Sequence, residues 1–407
     1  MSATPRWRLL LALALAAPAC GDRAPSDPAP SASGSSAPRV EPTDARMLSL
    51  REAEQRRAAE DVPPELWSAR EPELRRAAAR ALSRIAGPAA RPGLLELLSD
   101  DDPAVSSWAA YGLGQSCGEQ REHDVAALVA HALTLQSDAD WELAGEAIAR
   151  AIGRCAASTS EPTLAAWLGA GGVRARAAAL GLGDLAGQAK KLREETLVAL
   201  LALAEGGVAT APVPEALFAP ARLDHVPPSV TERLAQVAAR RLEEPGPYRL
   251  LAARALGRAR EHGLPALERL LLGAEPQRST LPEKVEAVRA AARIGRAGVL
   301  VVDRLLERLT TKPEALLDGG DDAQLTLAAL AALGTSARRG ALERVAGLAL
   351  AQGDDARRRR IGVLLRCRAA RELAGENASD PRLSACEPGG GVEGKRAELA
   401  VLGRAPI

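Results

Sequence analysis

The chain has 407 residues, a formal net charge of +1 and only 2% aromatic residues. That length exceeds what one hydrophobic core usually supports, so several domains or a repeat array must follow. A net charge near zero gives no global pointer to nucleic acid or an acidic substrate, and arginine outnumbering lysine 48 to 5 reads as the base composition of the gene, not as a binding signal.

At the N-terminus, Arg6 and Arg8 precede an apolar run at 9–17, and a small residue, Ala19, stands directly before Cys20. These are the three parts of a secretory signal, here residues 1–19. The run is too short to cross a bilayer, which takes about 20 apolar residues. Ala17-Pro18-Ala19-Cys20-Gly21 resembles the lipobox of bacterial lipoproteins, with Ala17 in place of the usual leucine. The resemblance implies a lipidated Cys20 that anchors an exported, periplasm-facing chain in the cell envelope. Plain secretion, with Cys20 lost in the cleaved piece, is the other reading. Gly21 rather than Asp after the cysteine favours the outer membrane. Residues 20–45 are mostly Ala, Pro, Ser and Gly with scattered charge, a composition that cannot bury a core and predicts a disordered tether.

From residue 46 onward the composition turns to Ala, Leu and Arg. A short element, a small residue (Arg293 in one copy), then Leu or Ile, then Gly or Ser, recurs with third positions at Ser83, Gly114, Gly153, Gly183, Gly257, Gly295 and Gly334. The spacing is a degenerate period of 30 to 40 residues, with one interval of two units, as stacked helix pairs produce. In the first unit Leu74, Ala77, Ala78, Ala81, Leu82 and Ile85 share one helical face. Gly87-Pro88 then breaks the helix, Pro92 opens a second one, and Asp100-Asp101-Asp102-Pro103 makes the next turn with a carboxylate placed to cap the following helix. No run of alternating β-branched residues calls for strands.

Glu71-Pro72-Glu73-Leu74-Arg75-Arg76-Ala77-Ala78-Ala79-Arg80-Ala81-Leu82, followed by Leu94-Leu95-Glu96-Leu97-Leu98 and Asp102-Pro103-Ala104-Val105, resembles HEAT repeats. The likeness is closest over 62–118, looser over 138–205 and 246–353, and lapses at 206–230, where Pro212, Pro214, Pro220, Pro227 and Pro228 fall. It implies an all-α, right-handed solenoid of helix pairs: repeats over 46–205, an irregular loop or distorted repeat at 206–230, repeats again over 231–353, and a helical cap with a Cys-flanked insertion at 354–407. The array also resembles the N-terminal HEAT regions of secreted bacterial proteins that carry a cyclophilin-type peptidyl-prolyl isomerase domain. An eight-stranded domain of that kind needs strands and aromatic residues, and this chain has one Phe, Phe218, and two Tyr.

After Cys20 four cysteines remain. Cys117 and Cys155 follow the repeat element in adjacent units and are candidates for a disulfide, with two buried thiols as the alternative. Cys367 and Cys386 flank an insertion that a second disulfide would hold. Neither pair has the CxxC spacing of a redox or zinc site.

The chemical motifs do not assemble. Gly389-Gly390-Gly391-Val392-Glu393-Gly394-Lys395 starts like a phosphate-binding loop, but Arg396 stands where Ser or Thr should be. His123, His131, His225 and His262 lack metal-ligand spacing, and His123 with Asp124 and nearby Cys117 is the nearest approach to a ligand group. No catalytic, metal or cofactor site is therefore expected.

Arg357, Arg358, Arg359 and Arg360 form a dense basic run that is either a solvated helix face or a candidate patch for an anionic partner. Trp67, Trp108, Trp141 and Trp167 are either packing pegs or an exposed binding stripe. The reading favoured by the sequence is a non-catalytic interaction scaffold with protein partners, a membrane attachment through Cys20, and neither nucleic acid nor a small-molecule substrate. A partner or truncated relative of a HEAT-plus-cyclophilin isomerase is the alternative, and a HEAT-like bilin lyase a more distant one.

Overall fold

The computed structural model describes residues 42–206, 211–273, 279–334, 337, 339–347 and 356–374. The signal-like segment, Cys20, most of the Pro-rich segment, Cys386 and residues 389–396 lie outside them. Among the described residues there are helices and no strands.

In chain order the helices are α1 (Pro42–Arg56), α2 (Pro72–Ile85), α3 (Arg91–Leu98), α4 (Pro103–Ser116), α5 (Arg121–Ala132), α6 (Asp138–Asp140), α7 (Glu146–Cys155), α8 (Ser160–Leu168), α9 (Gly172–Ala189) and α10 (Glu194–Glu205). They continue as α11 (Pro228–Glu243), α12 (Arg249–Arg258), α13 (Leu264–Leu272), α14 (Leu281–Arg293), α15 (Arg296–Thr310), α16 (Pro313–Leu317), α17 (Asp321–Leu333), α18 (Arg339–Ala346) and α19 (Ala356–Ala374). A π turn at Trp141–Gly145 joins α6 to α7, so 138–155 is one continuous helix.

Packing sorts these helices into two layers. In the first layer α2 lies on α4, α4 on α7, α7 on α9, α12 on α14, α14 on α17 and α17 on α19. In the second layer α3, α8, α11, α13, α15 and α18 cover them, as in α3 on α4 and α8 on α9. Each unit touches chiefly the next one along the chain, which makes the structure an all-α solenoid.

The local signals explain the helix ends. Pro72, Pro103, Pro228, Pro265 and Pro282 sit in first turns, where the missing N–H is not needed. Asp102 Oδ1 accepts from Ala104 N at 2.9 Å, and Thr280 with Glu283 forms a capping box. At the end of α2 both Ala86 (φ 55°) and Gly87 (φ 85°) are left-handed, which turns the chain back into α3.

The core is Ala and Leu. Leu74, Ala78, Leu82, Leu94, Leu113, Ile148, Ile152, Leu164 and Leu182 are fully buried. The glycines of the repeat element have a packing role that the sequence pattern alone does not reveal. The sequence places Gly112-Leu113-Gly114 and Gly181-Leu182-Gly183 at helix ends, yet α9 runs on for six residues past Gly183. Those glycines instead let first-layer backbones touch. A Cβ on Gly153 would lie 1.9 Å from the Gly181 carbonyl oxygen, one on Gly181 2.4 Å from the Ala149 oxygen, and one on Gly114 2.7 Å from Ala151 Cα.

Buried ion pairs tie one unit to the next. Arg75 Nε and Nη2 bind Asp100 Oδ2 and Oδ1 at 2.7 and 3.0 Å and fix the turn before α4. Burial pushes the Asp100 carboxyl up, but the Arg75 guanidinium and the Asp102 N–H hold it below its ordinary value. Arg91 Nε meets the fully buried Asp124 at 2.7 Å.

Among the described residues between α9 and α12 the first layer has no α-helix. Two 3-10 turns, Pro214–Leu217 and Pro220–Arg222, fill the place and pack on α9, α10 and α12. The prolines forbid a helical hydrogen-bond ladder, while Ala216, Leu217, Ala219 and Ala221 still supply buried apolar surface. Among the described residues no helix is long and apolar enough to cross a membrane.

Candidate binding surface

The outer face of the first layer, opposite the side covered by the second, carries an exposed apolar patch on α4 and the π turn. Trp108 is 36% exposed, Tyr111 38% and Leu143 62%. Local structure puts them together. The π turn carries Trp141 inward, where its ring meets Trp167 edge-on at 5.1 Å and its Nε1 donates to Leu135 O at 3.3 Å. Gly145 permits this, because a Cβ there would lie 2.3 Å from the Trp141 ring. Ser107 Oγ donates to the Leu143 carbonyl at 2.7 Å across from α4, and the Leu143 side chain is left beside Trp108 in solvent. Trp108 and Tyr111 pack edge to face at 6.0 Å. Together with Arg84, Ala104 and Ser107 these residues line an open depression of about 700 Å³.

Arginines continue the surface in both directions. Arg80 and Arg84 of α2 flank it on one side and share Glu54 of α1. On the other, the Arg154 guanidinium stacks over Tyr111 at 5.1 Å and reaches Asp184 of α9 at 3.3 Å. Asp184, nearly buried, also binds Arg150 at 2.9 Å and Arg222 at 2.8 Å. Two residues after Arg222, the Asp224 carbonyl accepts from Arg258 at 3.2 Å. Arg254, one turn back on α12, binds Glu286 of α14 through both oxygens at 2.9 and 3.2 Å, and Arg289 and Arg293 crowd the same carboxylate at 3.7 and 3.9 Å. Side-chain contacts, joined along the chain from Arg222 to Asp224 and from Arg258 to Arg254, thus link Trp108 on α4 to Arg293 on α14.

The electrostatics of this track differ along its length. Burial lowers Arg150, but its bonds to Asp184 outweigh that and raise it; the hydrogen bond from Arg254 to Glu286 raises Arg254 outright. Burial, and then Arg293 and Arg254, push the Arg258 guanidinium below its ordinary value, with Asp224 opposing them. The Arg258 Nε has no hydrogen-bond partner, as at Arg80, and Arg258 differs from Arg80 in having no carboxylate in an ion pair among the described residues.

Residues 64–134 match the family model for HEAT repeats. That stretch is similar to HEAT repeats. A search of curated proteins found no match to the chain. HEAT repeats suggest a helical protein-interaction scaffold, and their family is typically non-catalytic. The aromatic patch begins inside the matched stretch at Trp108 and Tyr111 and is completed from the next unit by Leu143.

The residues singled out from sequence fall in different places. Cys117, just past α4, and Cys155, the last residue of α7, form a disulfide with Cα atoms 5.1 Å apart, because both first-layer helices end at the same level. Cys367 on α19 is disulfide-bonded, and Cys386 lies outside the described residues. Cys20 also lies outside them. Of the basic run, Arg358 pairs with Asp318 and Arg360 is exposed; the side chains of Arg357 and Arg359 lie outside the described residues. His123 and Asp124 both bind Arg91, at 3.0 and 2.7 Å, while Cys117 is spent in its disulfide, so that group holds a guanidinium. Among the described residues no cluster of His, Cys, Asp and Glu could hold a metal ion.

Two readings of the sequence change. The tryptophans divide, with Trp141 a buried peg and Trp108 an exposed surface residue. The arginine excess is also structured. Arg80-Ala81-Leu82-Ser83-Arg84, Arg150-Ala151-Ile152-Gly153-Arg154 and Arg254-Ala255-Leu256-Gly257-Arg258 repeat one pattern, and the i, i+4 spacing puts each arginine pair on the same helix face. That pattern was the available signal for the track, and composition alone hid it.

Proposed function

We propose that this chain is a membrane-anchored, non-catalytic scaffold of the cell envelope that holds a protein partner on the outer face of its first helix layer. The observation that carries the reading is the open patch of Trp108, Tyr111 and Leu143. Large side chains at solvent on a rigid stack of Ala-packed helices supply aromatic anchor area with little ordering cost on binding. The anchoring rests on Arg6, Arg8, the apolar run at 9–17 and Cys20 in its lipobox-like setting, followed by a Pro/Ser/Ala-rich segment with the composition of a tether.

The test is metabolic labelling with a clickable fatty acid in wild type and Cys20→Ala, with membrane fractionation of both. Label and membrane recovery in wild type, both lost in Cys20→Ala, support the anchor. An unlabelled, soluble wild-type protein would remove the membrane part of the proposal and leave a secreted solenoid.

A further inference from the structure

The depression and the arginine track form one surface, and its charge names a partner class. Among the described residues nine guanidiniums lie along it; four carboxylates pair with them, Glu54, Glu146, Asp184 and Glu286, and a fifth, Asp224, acts on Arg258 through its charge without an ion pair. Asp184 and Glu286 are each nearly buried and each shared by three arginines. They aim the guanidinium planes without neutralising them. Arg258 meets a backbone carbonyl where its neighbours meet carboxylates. Partly desolvated guanidiniums with spare N–H groups favour carboxylates, which they grip in pairs of parallel bonds.

We infer that this face takes an acidic polypeptide segment of a partner protein, seating an apolar side chain in the depression by Trp108 and Leu143 and carboxylates along the track toward Arg258 and Arg293. The inference rests on the scaffold reading above and adds the chemistry of the partner. A polypeptide satisfies both halves of the surface at once, since it carries apolar and acidic side chains on one backbone. From α4 to α14 the track crosses five first-layer steps of about 9 Å each. That is roughly 45 Å, or about 13 residues of extended chain at 3.4 Å per residue.

The experiment is fluorescence anisotropy of the purified full chain with a fluorescein-labelled peptide of about 15 residues alternating Glu and Leu, a length set by the extended-chain rise. The comparison is the same peptide with Gln for Glu. The Glu peptide is expected to bind roughly tenfold tighter than the Gln peptide, and the gap should close as salt rises from about 0.05 to about 0.5 M. Arg258→Gln with Arg293→Gln should weaken the Glu peptide roughly tenfold and leave the Gln peptide unchanged. Trp108→Ala should weaken both peptides. Helical circular dichroism of each variant reports folding, and Arg289→Gln, whose side chain is 57% exposed, repeats the charge test where folding is not at stake.

Equal affinity for the two peptides, or arginine variants that bind like wild type, would overturn the inference. So would capture of the protein by phosphatidylglycerol vesicles through the same arginines when the Glu peptide does not bind, because the ligand chemistry would then be a lipid headgroup. A partner crosslinked at Leu143 alongside failure of the acidic peptide removes this inference and leaves the scaffold reading standing.

Discussion

Replacing both half-cystines, Cys117→Ala with Cys155→Ala, is expected to lower the stability of the N-terminal repeats by about 4 kcal/mol. The bridge closes a loop spanning 38 residues, and the chain-entropy cost that it removes from the unfolded state has about that size. The bond joins the C-terminal ends of α4 and α7, which are adjacent in the first layer. In a stack stabilised by nearest-neighbour contacts the loss should be local. Urea unfolding followed by tryptophan fluorescence reads this region directly, since Trp108, Trp141 and Trp167 flank the bridge. The expected outcome is an early transition of the N-terminal repeats in the variant, while the later, C-terminal part of the far-ultraviolet transition, where the bridge at Cys367 is untouched, stays in place. Coincident curves for the variant and oxidised wild type would show that the bridge adds nothing to the fold.

The second large effect is a reversal of sign at Gly181. In a helix interior Gly→Ala ordinarily stabilises by about 0.8 to 1.0 kcal/mol. At Gly181 the new methyl would lie 2.4 Å from the Ala149 carbonyl oxygen and 2.8 Å from its carbon. Both are backbone atoms, so no rotamer change relieves the clash and α7 and α9 must move apart. Overpacking of this kind costs about 1 to 3 kcal/mol and outweighs the propensity gain. Gly181→Ala should therefore lower the urea midpoint. Gly118→Ala is the control, as the nearest atom to its added Cβ is the Ser116 oxygen at 3.9 Å, and it should be neutral or mildly stabilising. A Gly181→Ala protein more stable than wild type would mean that the first-layer helices do not touch as described.

The fold was largely legible before any coordinates, for a physical reason. A helix pair that buries Ala and Leu on one face must repeat that face in every unit, and the spacing from Ser83 to Gly334 carries the repeat. What escaped was anything that depends on how neighbouring units meet. Gly181 reads as a helix end in one dimension and is a backbone contact in three. The prolines from Pro212 to Pro228 mark a break, but that two short turns still fill the first layer depends on Ala216 and Leu217 finding α9 and α10.

The candidate binding surface was less legible than the fold. Trp108 and Trp141 have similar settings in sequence, each shortly after an aspartate-bearing turn and four residues before a glycine. They part only because the π turn carries Trp141 inward onto Trp167 while Trp108 stays on the free face. The arginine pairs were visible as three copies of one five-residue pattern, yet their meaning rests on Asp184 and Glu286, which reach across from the following helices.

The measurement that tests the account most directly is photo-crosslinking in living cells from a benzophenone amino acid placed at Leu143 or at Leu300. Both positions are exposed, the first on the outer face of the first layer and the second on α15 of the second layer. The account predicts a discrete adduct from Leu143 that disappears when Trp108→Ala is added, and no such adduct from Leu300. The same adduct from both positions, or one from Leu300 alone, would contradict the assignment of the binding face.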